Sequence, residues 1–302
     1  MTVAGGFGVR AHYWFHATYA NFEWGIATLS RRPRGHALPR LRTGGYLLVL
    51  AVAAGAAIAA MIVLDAPVAE AVRGTPSWVL FLFRELTDFG KSGWFLWPSG
   101  ILLLALALAA SGPLPHVSRL VLAAIAVRVA FLFTAIALPS LVVTILKRVI
   151  GRARPFVGGH IDPFLYMPPI WRPDYASMPS GHATAAFAAA AAAGLLWPRL
   201  RIPMLAYALL IAVSRVVLDA HYLSDVIAGA AAGTVGALVV HDWFAARRLG
   251  FVVDADGAIS RLPGPSLAQL RTVTRSVLLL RACPGCGAAR ARARKPAEIG
   301  PP

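Results

Sequence analysis

Long apolar runs separated by short polar stretches organise this chain. Six stand out, near residues 46–64, 94–110, 120–146, 183–197, 202–218 and 223–244. A helix needs roughly 17–25 mainly apolar residues to cross a bilayer. The fourth run is short and must borrow residues from its flanks. The third is long enough to tilt, and it carries Arg128 and Pro139. The run from Trp78 to Phe83 is too short to span and reads as an interfacial stub. The pattern predicts an all-α polytopic membrane protein, a six-transmembrane-helix bundle. Residues 1–45 and 245–302 flank this core as an N-terminal and a C-terminal basic tail.

Composition agrees. The chain is 58% hydrophobic and 14% charged, whereas soluble domains are about a quarter charged. Its formal net charge is +16. In a soluble protein that excess points to nucleic acid. Here many of the basic residues lie in the tails, which suits cytoplasmic flanks beside anionic lipid, and nucleic acid is not expected as a partner. The N-terminal tail carries Arg10, Arg31, Arg32, Arg34, Arg40 and Arg42 against Glu23 alone, with an aromatic cluster of Tyr13, Trp14, Phe15, Tyr19, Phe22 and Trp24. It reads either as an interfacial element or as a disordered basic arm. No cleavable signal is evident in it. Two cysteines, Cys283 and Cys286, are too few for a disulfide framework.

The positive-inside rule puts both termini in the cytoplasm, because ten basic residues follow Phe244. Six crossings then bring the ends of the third and fifth runs and the starts of the fourth and sixth to one outer face. The expected location is the plasma membrane, with the site on its outer side.

Three polar clusters occupy those ends. They are Lys147-x6-Arg154-Pro155, Pro179-Ser180-Gly181-His182, and Ser214-Arg215-x5-His221-x3-Asp225. Phosphoryl transfer needs negative charge neutralised on the phosphate oxygens. Lys147, Arg154 and Arg215 supply that without a metal, and arginine's forked donors suit phosphate. Ser180 adds a hydroxyl, and Gly181 lets a backbone N–H approach the anion. A helix starting there would add a favourable dipole. His221 and Asp225, four apart, would share a helix face. A carboxylate fixes the tautomer of an imidazole and stabilises its cation, which makes His221 the nucleophile and His182 the general acid. The candidate catalytic set is His221, His182 and Asp225. The phosphate-binding set is Lys147, Arg154, Ser180, Gly181 and Arg215. No metal and no cofactor are expected. One histidine must be neutral and the other protonated, so a bell-shaped pH profile is expected.

The pattern KxxxxxxRP, PSGH, SRxxxxxHxxxD resembles the type 2 phosphatidate phosphatase superfamily, which shares its core with vanadium haloperoxidases. Lys147, Arg154 and Pro155 match the first motif, Pro179 to His182 the second, and Ser214, Arg215, His221 and Asp225 the third. The resemblance covers roughly residues 46–244. It implies a six-helix membrane core, a phosphohistidine on the residue matching His221, and metal-independent dephosphorylation of a lipid phosphate. Phosphatidate, phosphatidylglycerol phosphate, undecaprenyl diphosphate and lipid A phosphates all remain open as substrates. A lipid phosphotransferase, a vanadium-dependent haloperoxidase and a non-catalytic membrane scaffold are the alternatives. The sequence leaves oligomeric state open.

Smaller features stay ambiguous. Thr87-Asp88-Phe89-Gly90-Lys91-Ser92 reads as a substrate entrance or as a helix cap by Asp88 or Ser92. Residues 156–178, with Arg172 and Asp174, read as an interfacial or headgroup-contacting loop. The alanine-rich fourth run and Gly229-xxx-Gly233 predict close helix packing inside one bundle. Cys283-Pro-Gly-Cys286 offers only two of the about four ligands a zinc site needs. The basic run Arg290 to Lys295 suits anionic headgroups.

Overall fold

The structure, a computed structural model, describes residues 15–33 except 17, 22, 24 and 29, and residues 40–109, 115–169 and 171–282. Arg10, Arg34, Tyr13, Trp14, Phe22, Trp24, Cys283, Cys286 and the run from Arg290 to Lys295 lie outside the described residues.

Apolar sequence becomes helix because helices satisfy their own backbone groups in lipid. The described elements run α1 (Arg40–Val63), α2 (Asp65–Val72), α3 (Ser77–Asp88), α4 (Gly93–Ala109), α5 (His116–Ile150), α6 (Gly181–Leu196), α7 (Arg201–Val217) and α8 (Leu223–Ala246). A hairpin of β1 (Phe251–Val253) and β2 (Ile259–Arg261) and the helix α9 (Leu267–Ala282) follow. The hairpin is antiparallel, with Phe251 opposite Arg261.

Five stretches are long and apolar enough to cross a membrane: Thr43–Val63, Ser77–Leu108, His116–Ile150, Pro198–Val217 and Leu223–Ala246. Gly181–Leu196 is apolar but shorter. Two expectations change here. Trp78 to Phe83 is no isolated stub, since it lies in the 12-residue α3 and belongs with α4 to one apolar stretch. The helix around the third run is also longer than expected. At 35 residues, α5 is about 52 Å long at 1.5 Å per residue, against a hydrocarbon core of about 30 Å. Exposed Leu47, Leu48, Val52, Ile58 and Ile62 on α1, and Leu141, Val142, Ile145 and Val149 on α5, give these helices faces for acyl chains. The protein is a membrane protein.

The described chain divides into two compact units. One comprises residues 1–32, 101–127 and 263–302. In it Val121 and Leu122 pack with Val273, Leu106, Ile125 and Leu270. The other, residues 33–100 and 128–262, carries all three motifs. Its centre is α6, whose alanines are buried against α7 through Ala208 and Ile211, and against α8 through Val226. Small residues permit this closeness. A Cβ on Gly229 would strike the Ser180 carbonyl, and one on Gly233 would strike the Thr184 carbonyl. Being wrapped by neighbours, α6 tolerates a length of 16 residues. On α5, Arg128 donates to the Leu262 carbonyl at 2.8 Å. Within the segment 245–302, Phe251 is buried and packs edge-on against Phe131 and His241.

Candidate active site

Each motif sits where a helix begins or ends. Lys147 lies in the last turn of α5. Gly151 ends that helix with φ of 62°, and a Cβ there would lie 2.5 Å from the Met167 carbonyl. Only glycine takes this turn without strain. The chain then runs extended, with Ala153 N–H donating to Leu165 and Arg154 N–H to Asp174. Arg154 Nε donates to the Pro173 carbonyl at 3.1 Å. Ser180 is the N-cap residue of α6, so the first-turn N–H groups after it lack intrahelical partners. Arg215 lies in the last turn of α7, and His221 in the short turn before α8.

These groups converge. His182 lies within electrostatic range of Arg215, His221 and Lys147, and Lys147 within range of Arg154 and Arg215. A Cβ on Gly181 would come 3.3 Å from Lys147 Nζ, so glycine keeps room beneath the ammonium. Three buried polar atoms among the described residues have no hydrogen-bond partner here: Ser180 Oγ, His182 Nε2 and Arg215 Nε. Buried donors are normally satisfied. Unpaired donors beside three cations make a cradle for an oxyanion.

The His221–Asp225 pair departs from expectation. The two do not share a helix face, because α8 begins at Leu223. Asp225 instead caps the helix start, accepting the Tyr222 N–H at 2.9 Å. Its Oδ2 lies 3.7 Å from His221 Nδ1. Burial pushes His221 down to about 4, Asp225 opposes this, and Arg215 and Arg154 add to the lowering. The imidazole is therefore neutral at neutral pH, with a lone pair to use.

Sequence reasoning missed the residues behind this pair. Arg152 is fully buried and donates to Asp65 at 2.8 Å, Asp225 at 2.5 Å, Ser224 at 2.7 Å and the Pro163 carbonyl at 3.0 Å. Asp65 also accepts from the Ser224 N–H and hydroxyl. Burial works against the Arg152 charge, but Asp225 and Asp65 more than offset it, so its pKa is raised. Ser177 donates to Asp225 Oδ2 at 2.5 Å. Thr87 accepts from Arg215 Nη1 at 2.8 Å and from Ser214 Oγ at 3.0 Å. One signal was available: an ionisable residue such as Asp65 beside an apolar span defaults to function.

The Thr87–Ser92 turn forms a wall of the site. A Cβ on Gly90 would lie 3.1 Å from the His182 ring. Asp88 caps no helix; it ends α3 and pairs with Lys91 at 2.8 Å. On the 156–178 loop, Arg172 and Asp174 lie 3.5 Å apart.

Comparison with known proteins places this chain. The PAP2 superfamily matches residues 128–249, which span all three motifs. A lipid A 1-phosphatase of Rhizobium johnstonii is 36% identical over 76% of this chain and 93% of its own length. A lipid A 1-phosphatase of Rhizobium etli is 37% identical over 65% of this chain and 84% of its own length. The crystal structure of the first transmembrane PAP2 type phosphatidylglycerolphosphate phosphatase from Bacillus subtilis is similar with a TM-score of 0.44 and 19% identity, over 65% of this chain and 92% of that one. With its three motifs gathered into one cradle and a relative matched over nearly its whole length, the chain belongs to the PAP2 superfamily.

Proposed function

We propose that this membrane protein is a lipid phosphate phosphatase that removes a phosphomonoester from a glycolipid of the lipid A class, through a phosphohistidine on His221 and without a metal. The observation that carries the chemistry is the cradle itself. Arg215 and Arg154 act on a neutral, buried imidazole, Lys147 lies within range of both, and Ser180, His182 and Arg215 each carry a buried polar atom without a partner. The substrate class rests on the two relatives, both lipid A 1-phosphatases by name.

The steps balance as follows. His221 Nε2 donates its lone pair to phosphorus, and the bond from phosphorus to the lipid oxygen breaks in line. Lys147, Arg154 and Arg215 hold the three remaining phosphate oxygens. His182, held as the imidazolium by the negative charge of the bound phosphate, gives its proton to the departing oxygen, which leaves as the lipid alcohol. Asp225 faces the cationic ring that forms. Neutral His182 then takes a proton from water as the water oxygen bonds to phosphorus. The nitrogen–phosphorus bond breaks, inorganic phosphate leaves, and both histidines return to their starting states. The site opens to the outer face, with both termini inside.

The test is phosphate release from lipid A carrying a 1-phosphate, measured in EDTA with the wild type and with His221→Ala. Release by the wild type alone supports the reading. Equal release by both proteins removes His221 from the mechanism. Release that vanishes in EDTA and returns with added metal removes the metal-free cradle.

A further inference from the structure

The carboxylate that should orient His221 is not in direct hydrogen-bond contact with it. Asp225 Oδ2 and His221 Nδ1 stand 3.7 Å apart, beyond ordinary hydrogen-bond range. Ser177 fills the gap. Its hydroxyl donates to Asp225 Oδ2 at 2.5 Å and lies 3.4 Å from His221 Nδ1. The other carboxylate oxygen is held from behind by Arg152 at 2.5 Å. Asp65 anchors that guanidinium in turn, and the Tyr222 ring lies against it. Ser177 is placed by its own backbone, whose N–H donates to the Arg152 carbonyl at 3.1 Å. It is fully buried and faces no solvent.

We propose that Ser177 is a positioning residue for the nucleophile, its hydroxyl bridging Asp225 to His221 Nδ1 while Arg152 fixes the carboxylate from the opposite side. A hydroxyl accepts one hydrogen bond and donates another. Accepting from Nδ1–H and donating to the carboxylate, it holds the tautomer whose Nε2 lone pair faces the cradle. Ser177 touches neither phosphate nor leaving group. Its effect reaches the reaction through the angle and tautomer of one ring. The inference rests on His221 being the phosphorylated residue.

The test uses the purified full-length protein and lipid A labelled with 32P at the 1-phosphate. Rapid quenching into base measures the rate at which base-stable, acid-labile phosphohistidine forms, and steady-state assays measure kcat, KM and competitive inhibition by inorganic phosphate. Ser177→Ala lowers the labelling rate and kcat about 10- to 100-fold, the usual cost of a misplaced reacting group. KM and inhibition by phosphate stay at wild-type values, because the cradle is untouched. Ser177→Cys, nearly the same size but a weak donor, stays close to the alanine variant. Arg152→Lys moves kcat in the same direction. A cysteine variant that recovers the wild-type rate would reduce Ser177 to packing and overturn the proposal. So would an alanine variant that labels as fast as the wild type, or one that loses phosphate inhibition in parallel with kcat. A wild type that turns over but never labels overturns the phosphohistidine itself, a result separate from any serine variant.

Discussion

Arg215 is steadied by a hydroxyl from a helix that carries none of the three motifs. Thr87 accepts from its Nη1 at 2.8 Å, so Thr87→Val would orphan that buried donor, while the Ser214 hydroxyl keeps the Ile211 carbonyl at 2.6 Å. An unsatisfied buried donor costs about 1–3 kcal/mol. If the loss falls on the transition state, kcat/KM drops about 5- to 150-fold. Steady-state kinetics on the lipid substrate check this, and an unchanged kcat/KM would show that Arg215 needs no such support. At the same scale, His221 is held down to about 4 by burial. The free ring must be neutral to attack, so activity falls as pH drops through that value. After correction for ionisation of the substrate, the acid limb of kcat/KM should centre near pH 4 instead of the ordinary imidazole value of about 6.5. A limb near 6.5 would mean that burial does not control the ring. The cradle residues were legible in sequence because charge in apolar surroundings stands out. Ser177 and Arg152 were not, and Thr87 was legible only as part of the Thr87–Ser92 segment, without its link to Arg215. A serine or threonine advertises no role until the backbone that faces it is known, and Arg152 stood two positions from a motif arginine that already explained the local charge.

The elements bring the motifs together through one crossing. α6 and α8 approach so closely that Gly229 and Gly233 face the backbone of Ser180 and Thr184. The start of α6 is tied to α8 by the Ser180 N–H, which donates to the Asp225 carbonyl at 2.9 Å. Gly233→Val forces the two helices apart. Overpacking of this kind costs about 1–3 kcal/mol or more, so the variant should melt at a lower temperature in detergent and lose activity with intact side chains in the cradle. A variant with the wild-type melting point would show that the crossing has slack. The GxxxG spacing and the alanine run made this contact predictable in kind. The break between α3 and α4 was legible in the polar Thr87–Ser92 stretch; the length of α3 was not, because Trp78 to Phe83 alone reads as a stub whereas the helix runs 12 residues, Ser77–Asp88. The start of α8 was also misread: spacing alone treats His221 and Asp225 as i and i+4 on one helix, whereas the cap at Tyr222 places the histidine outside it.

At the scale of the whole molecule, topology follows from α8. The candidate site sits at its N-terminal end and the β1–β2 hairpin beyond its C-terminal end, about 36 Å away for 24 residues. That length suffices to cross a bilayer, and the proposed orientation puts the two ends in opposite compartments. In a background with Cys283 and Cys286 changed to serine, Lys91→Cys should react with a membrane-impermeant maleimide added outside spheroplasts. Ala255→Cys, at the exposed hairpin turn, should react only after permeabilisation. Labelling of both from one side would place the site and the hairpin together and undo the proposed orientation.

The buried link from Asp65 through Arg152 to Asp225 joins residues that are 87 and 73 positions apart. A ribosome inserting this chain delivers the first of these soon after the first span, and the last only as the final core span begins. Until then the carboxylate that faces His221 does not exist, and Arg152 has only half its partners. A half-inserted chain thus lacks both the α6–α8 crossing that gathers the motifs and the carboxylate behind the nucleophile. A translation product arrested before α8 is therefore expected to be inert toward the lipids around it.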